Sequence, residues 1–486
     1  MKYTKFIAIA LTGLMTFSSC GDFDDVNVDP NNPTSPDTRF MFTYACKKVP
    51  KFTMVGTFDP WNQLYPQYFS ERQNIQYSGY AQTDFNMGSY YYETIRNLNT
   101  IIALNEDEKT ANEANVLMLG SAANQIAACR TLRAFVYMHL TDILGMIPYS
   151  EALKGEEENF TPKFDTQEFI YQDLDRDLKE AYAQFDESGN LDKNFDILYN
   201  GNITKWKKLN ASVRMMMAIK LADVAPAEGK ARFAVAYADG GIQDNSEGLV
   251  YKYLAETANQ HPLYANIIVD ARRDFAPSKT LLDQMNLLAD PRVEAYAEPN
   301  SKGEYEGVPY GITQSEIVDF KDCANFDPRF YQQDSPMGVI SAAHILLIQA
   351  EAAARGWISA SVEDLYKAGI SASFDEYQMK DKAEAYYNQA SVALSGNAQD
   401  KIEKIAMQRW IANFMHDGVE AWSDWRRLNV PALKPGTAAA VTHIPYRRRY
   451  YPNDYNTNVE NYEAAIAAQG EDSFDTRVWW DVADND

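Results

Sequence analysis

Eleven aromatic residues fall within the 35 positions from Phe58 to Tyr92, where the chain average of 13% would place about 4 to 5. Amides and charges are interleaved with them: Asp59, Asn62, Gln63, Gln67, Arg72, Gln73, Asn74 and Gln76. That combination suits carbohydrate. A sugar ring has an apolar C–H face that stacks on an aromatic, and its hydroxyls need fixed donors and acceptors. Asp59, Trp61, Tyr65, Tyr68 and Tyr77 are the candidate ligand contacts here. Pro60, Pro66 and Gly79 break the regularity, so two readings stay open for Trp61 to Tyr80: loop-borne stacking rings or core packing. Tyr90, Tyr91 and Tyr92 lead into an apolar helix and read as core. A second irregular stretch offers Asn325, Phe326 and Arg329 as a polar and aromatic complement, the arginine supplying a fork of donors.

Catalysis finds little support. The five histidines, His139, His261, His344, His416 and His443, are scattered, and His139 and His344 lie in apolar stretches that read as core. No metalloprotease helix, nucleophile elbow, phosphate loop or EF-hand loop occurs. The expectation is a protein without enzyme activity, cofactor or bound metal. A glycosidase pair stays open as an alternative, because 68 acidic residues supply many carboxylates and only separation in space defines such a site. The formal charge is −23, and a surface of that sign repels phosphate backbones, which argues against nucleic acid. Cys46, Cys129 and Cys323 permit at most one disulfide, and no C-x-x-C pair occurs.

The elements that must position these residues are helical. Gly120 to Pro148 reads as a long helix capped at Ser121 and stopped at Gly145. Ala123, Ile126, Ala127, Ala134, Tyr137, Met138, Thr141 and Leu144 share one face, and Leu132, Phe135, Val136, Leu140 and Ile143 make much of the rest apolar. A helix apolar nearly all round is buried between neighbours. Gln167 to Phe185 is amphipathic. Leu198 to Asp223, capped by Asn202 or Thr204, pairs with a helix over Ala227 to Gly240. Val339 to Tyr377 makes the clearest pair, with Ser361 and Asp364 placed as a capping box. Asp400 to Arg427 reads as one further helix, and Asp290-Pro-Arg-Val as a turn into a strand. The pairs are similar to tetratricopeptide units but match that repeat weakly.

The chain begins with a secretory signal: Lys2 and Lys5, an apolar run from Phe6 to Phe17, then Ser18-Ser19-Cys20. Cys20 stands where a lipobox places its lipidated cysteine. Asp22, Asp24 and Asp25 resemble the tag of surface lipoproteins of the Bacteroidetes. The run Asn27-Val-Asp-Pro-Asn-Asn-Pro-Thr forbids regular structure and reads as a tether. With the tether's Asp-Pro-Asn signature, Leu140 to Leu153, the AEAAARGW piece, the glycine and two tryptophans before Arg426-Arg427, and the closing RRYYPNDY and VWW, the chain resembles the SusD/RagB family, its SusD-like subgroup in particular. The resemblance implies a mostly α fold: tetratricopeptide-like helix pairs with long loop insertions and minor β-hairpins. It implies residues 1–19 as signal, 20–38 as lipidated tether and 39–486 as a single domain. It further implies an outer-membrane, cell-surface lipoprotein that binds a glycan or oligosaccharide and delivers it to a TonB-dependent, SusC-like transporter. A peptide-binding or protein-interaction scaffold of RagB type is the other alternative.

Overall fold

The computed structural model describes residues 36–54, 60–81 and 84–482. The signal, Cys20 and Asp59 lie outside these residues. The helices of eight residues or more are α1 (Thr38–Lys47), α2 (Arg96–Glu106), α3 (Ala122–Leu144), α4 (Gln167–Gln184), α5 (Ile203–Lys220), α6 (Pro226–Asp239), α7 (Lys279–Leu287), α8 (Ala342–Ala354), α9 (Val362–Glu376), α10 (Lys380–Tyr387), α11 (Ala398–Ala412), α12 (Gly418–Leu428) and α13 (Val459–Gln469).

As its composition demands, α3 is buried along almost its whole length. It packs between α2 and α4, and also meets α5 and α12. Three consecutive helix pairs follow from this: α3 with α4, α5 with α6, and α8 with α9, with α8 lying on both α5 and α11. The stops and starts are local. Gly145 takes φ 79 after α3, a left-handed turn open to glycine, and Asn202 and Ser361 cap α5 and α9 by accepting from Lys205 and Asp364. The strands are short two-stranded pairings, such as Phe69–Glu71 with Phe275–Pro277, antiparallel with Glu71 opposite Phe275. Buried apolar side chains from Phe42 to Trp480 form one contiguous cluster.

Two expectations need correction. Asp400 to Arg427 is not one helix but two, α11 and α12, broken at Asn413–Asp417. Met415 takes φ 62 in the break, and Asp417 caps α12 by accepting from the amides of Val419 and Glu420. Tertiary packing requires the break: Gly418 approaches the turn Trp61–Leu64 so closely that a Cβ there would lie 1.7 Å from the Asn62 carbonyl oxygen. Asp290 also leads into a helical turn, Val293–Tyr296, before the strand Ala297–Glu298.

A buried polar node joins three of these helices. The Lys220 ammonium of α5 lies 2.6 Å from Asp142 of α3 and also bonds Glu420 of α12. Asp142 further accepts from the Tyr171 hydroxyl at 2.6 Å and the Trp480 indole at 2.7 Å. Buried charges are tolerated only when paired and hydrogen-bonded, and here they are. A second ion cluster sets Glu351 of α8 against Arg409 and Arg427 at 2.9 and 2.5 Å.

Candidate functional site

The aromatic-rich stretch divides into a core part and a surface part. Trp61, Tyr65 and Tyr68 are core. Trp61 is 1% exposed; its ring meets Tyr65, Phe85 and Trp422 edge-on at 5.4 to 6.3 Å, and the Arg448 guanidinium lies 4.6 Å from its centroid. Tyr65 packs between Tyr80 and Trp422, and Tyr68 against Trp410. Phe326 is likewise buried, 4.5 Å from Phe69 between centroids. These rings have no face open to a ligand, so the core reading holds for them. For Trp61 and Tyr65 the cause is α12, which clamps the Trp61–Leu64 turn from one side.

Tyr77 is the exception. It is half-buried and lines a cleft of about 300 Å³ with Glu71, Gln73, Asn74, Gln76, Arg272, Asp274 and Phe275. The strand pairing of Phe69–Glu71 with Phe275–Pro277 builds the cleft, and the Arg72 amide donates to the Asp274 carbonyl at 2.6 Å. Glu71 closes the loop by accepting from the Ser78 amide and hydroxyl at 2.8 and 2.6 Å. Asn74 takes the left-handed φ of 55 that asparagine tolerates, which turns the loop outward and leaves the Gln73, Asn74 and Gln76 side chains exposed. Across the cleft, the Arg272 guanidinium lies 2.9 Å from the Asp274 carboxylate, which also accepts from Asn266 at 2.7 Å. The cleft therefore offers one accessible ring, three amides and a fixed Arg–Asp pair. That set can stack one apolar ring face and exchange hydrogen bonds with hydroxyls.

The second predicted loop does not join this cleft as a unit. Asn325 is half-buried and accepts from Arg72 at 2.9 Å, so it braces the loop from behind. The Arg329 side chain, 41% exposed, pairs with its neighbour Asp327 at 2.8 Å. It lines a different cleft of about 300 Å³ with Tyr377, Glu376 and His416. There His416 Nε2 lies 2.9 Å from Glu376; burial works against the imidazolium, but the Glu376 carboxylate wins and holds the pKa above its ordinary value. Arg272 and Asp274 escaped sequence reasoning. Their only signal was an Arg-Arg-Asp run in an aperiodic stretch.

One buried group has metal-ligand character among the described residues: His139, Asp417 and Glu420. The Lys220 ammonium already bonds Glu420, and His139 Nε2 bonds Asp417, so a resident cation of the protein's own neutralises the cluster. Burial raises Glu420 to about 7 despite Lys220. Cys46, Cys129 and Cys323 are all buried and free.

The helix-pair scaffold thus carries an aromatic and amide cleft on its inserted loops. The chain belongs to the SusD-like family, whose sequence model, described as "Starch-binding associating with outer membrane", matches residues 30–452. Solved structures agree. A chitin-binding protein is similar at 25% identity and a TM-score of 0.76, covering 92% of this chain and 100% of its own. A chitin-binding SusD homolog from Flavobacterium johnsoniae shares the fold at 22% identity and a TM-score of 0.78, over 92% and 100% of the two chains. A SusD homolog from Bacteroides fragilis does so at 24% and 0.77, over 92% and 99%. No curated protein matches the chain. Among the described residues no helix is long and apolar enough to cross a membrane.

Proposed function

We propose that the protein binds a glycan at the Tyr77 cleft as a lipid-anchored surface protein of the outer membrane and passes it to a TonB-dependent, SusC-like transporter. The half-buried Tyr77 ring among Gln73, Asn74, Gln76 and the Arg272–Asp274 pair carries the reading. Family membership supports it, as do the starch-binding description of the family and the chitin-binding neighbours. The formal charge of −23 favours a neutral glycan over a polyanion. The anchor rests on Cys20 and the signal before it.

The binding reading is preferred to hydrolysis on chemical grounds. A glycosidase needs one carboxyl able to donate a proton to the leaving oxygen. In the Tyr77 cleft Glu71 accepts from Ser78, and Asp274 from Arg272 and Asn266, so both carboxylates are held as acceptors. Retention on starch and chitin affinity gels, together with an assay for reducing ends, tests the proposal. Retention without released reducing ends is the expected result. Released ends would replace it with the hydrolase reading.

A further inference from the structure

A second cleft shares no lining residue with the Tyr77 site. It holds about 220 Å³ between the 87–92 segment, the loop 148–162 and the 453–458 segment. Two aromatic rings are exposed at its rim: Phe160 at 74%, and Tyr92 at 58%, which unlike its buried neighbours Tyr90 and Tyr91 is not the core ring the sequence suggested and carries the Arg96 guanidinium 5.6 Å from its centroid. Single exposed rings need no explanation, but two on one small concave site are the geometry of a stacking platform.

The loop that carries Phe160 is held rigidly on both sides. Asn458 donates to the Pro162 carbonyl at 2.6 Å and Asn461 to that of Thr161 at 2.8 Å. On the other side, Glu151 accepts from the Asn159 side chain at 3.2 Å and the Lys163 amide at 3.1 Å. A ring presented to water on a braced loop is pre-organised, so a ligand meets it with little further ordering cost. Polar groups stand beside it. Asn453 is exposed, and Asp454 gives one carboxylate oxygen to the Met87 amide at 3.0 Å. The other oxygen has no donor among the described residues and is not sealed from solvent.

We infer that this cleft is a second carbohydrate subsite that takes a single sugar ring of a neutral glycan. The ring's C–H face stacks on Phe160 or Tyr92, and a hydroxyl donates to the open oxygen of Asp454. The cavity is too small for a longer segment, which continues outward over the exposed rim. The inference rests on the glycan reading of the Tyr77 cleft and adds a second point of attachment, which raises the retention of a long chain through effective concentration.

The test uses maltoheptaose and N-acetylchitohexaose as probes, with calorimetry on the wild-type protein, Phe160→Ala, Tyr77→Ala and the double variant. Phe160 is exposed, so its truncation leaves the fold intact, which a denaturation curve checks. Phe160→Ala is expected to weaken one of the two probes about fivefold, as the loss of one aromatic contact does. The double variant is expected to bind more weakly than Tyr77→Ala. Equal binding with and without Phe160 in both backgrounds would overturn the second subsite and leave the Tyr77 reading standing. Failure of the wild-type protein to bind either probe would overturn both. Unchanged glycan binding with lost co-purification of a membrane transporter would make this rim a protein contact and likewise refute the subsite.

Discussion

Truncating Trp61 separates a core ring from a ligand platform. Trp61 is 1% exposed and touches Tyr65, Phe85 and Trp422, with the Arg448 guanidinium against its face. Trp→Ala in a close-packed core costs about 3–5 kcal/mol in lost transfer energy and residual cavity. A desolvated cation–π contact adds about 1–2 kcal/mol, partly counted already in the first figure. Arg448 keeps its bond to the Asp84 carbonyl at 2.8 Å, so the guanidinium is not stranded. We therefore expect Trp61→Ala to lose about 4 kcal/mol of folding stability. Urea denaturation followed by far-UV circular dichroism reads this as a fall in midpoint at an unchanged slope. Glycan affinity measured well below that midpoint should stay near the wild-type value. Wild-type stability with a tenfold loss of affinity would refute the burial argument and return Trp61 to the ligand site.

Other consequences follow from the buried ions and the anchor. Glu351→Gln should destabilise by about 3 kcal/mol, because it leaves the buried Arg409 and Arg427 to share the Asp424 carboxylate beside a neutral amide; a denaturant midpoint equal to wild type would contradict this. Burial pushes His344 down to about 4 from an ordinary value of 6.5, so the unfolded chain takes the proton first. Its share of stability, about 3 kcal/mol, is intact above pH ~6.5 and lost as the pH falls towards 4; because His416 shifts the opposite way, the check is a His344→Asn variant, whose midpoint should fall less between pH 7 and 5 than that of the wild type, and an identical fall would rule this out. With Lys220 bonded to Glu420, EDTA should leave the melting temperature unchanged; a fall would place a metal in the His139 cluster. Cys20→Ala should abolish incorporation of labelled fatty acid and release protein from the membrane fraction, and retained labelling would exclude Cys20 as the anchor.

The helical scaffold was legible because its signals are local. α3 shows itself by apolar residues on nearly every face up to the stop at Gly145, and α5 and α9 by Asn202 and Ser361 at their starts. The break between α11 and α12 was not legible, since it answers to the carbonyl of Asn62, distant in sequence. The aromatic stretch was found by composition, but composition cannot say which rings face inward. Trp61 and Tyr65 turn in because α12 covers them and Tyr68 because Trp410 of α11 does, whereas Tyr77 lies beyond the Phe69–Glu71 strand on an Asn74 turn. Arg272 and Asp274 reach the same cleft only through a long-range strand pairing, which no local pattern announces.

As proposed, Tyr77 is a stacking surface for a glycan. Calorimetric titration of the wild-type protein and Tyr77→Ala with maltoheptaose and N-acetylchitohexaose tests it most directly. The wild-type protein is expected to bind one of them, and the variant to bind it about fivefold more weakly, as loss of about 1 kcal/mol of aromatic contact requires. The denaturation midpoint should shift little, because the ring is only half-buried. Equal affinity in the two proteins would remove Tyr77 from the glycan site.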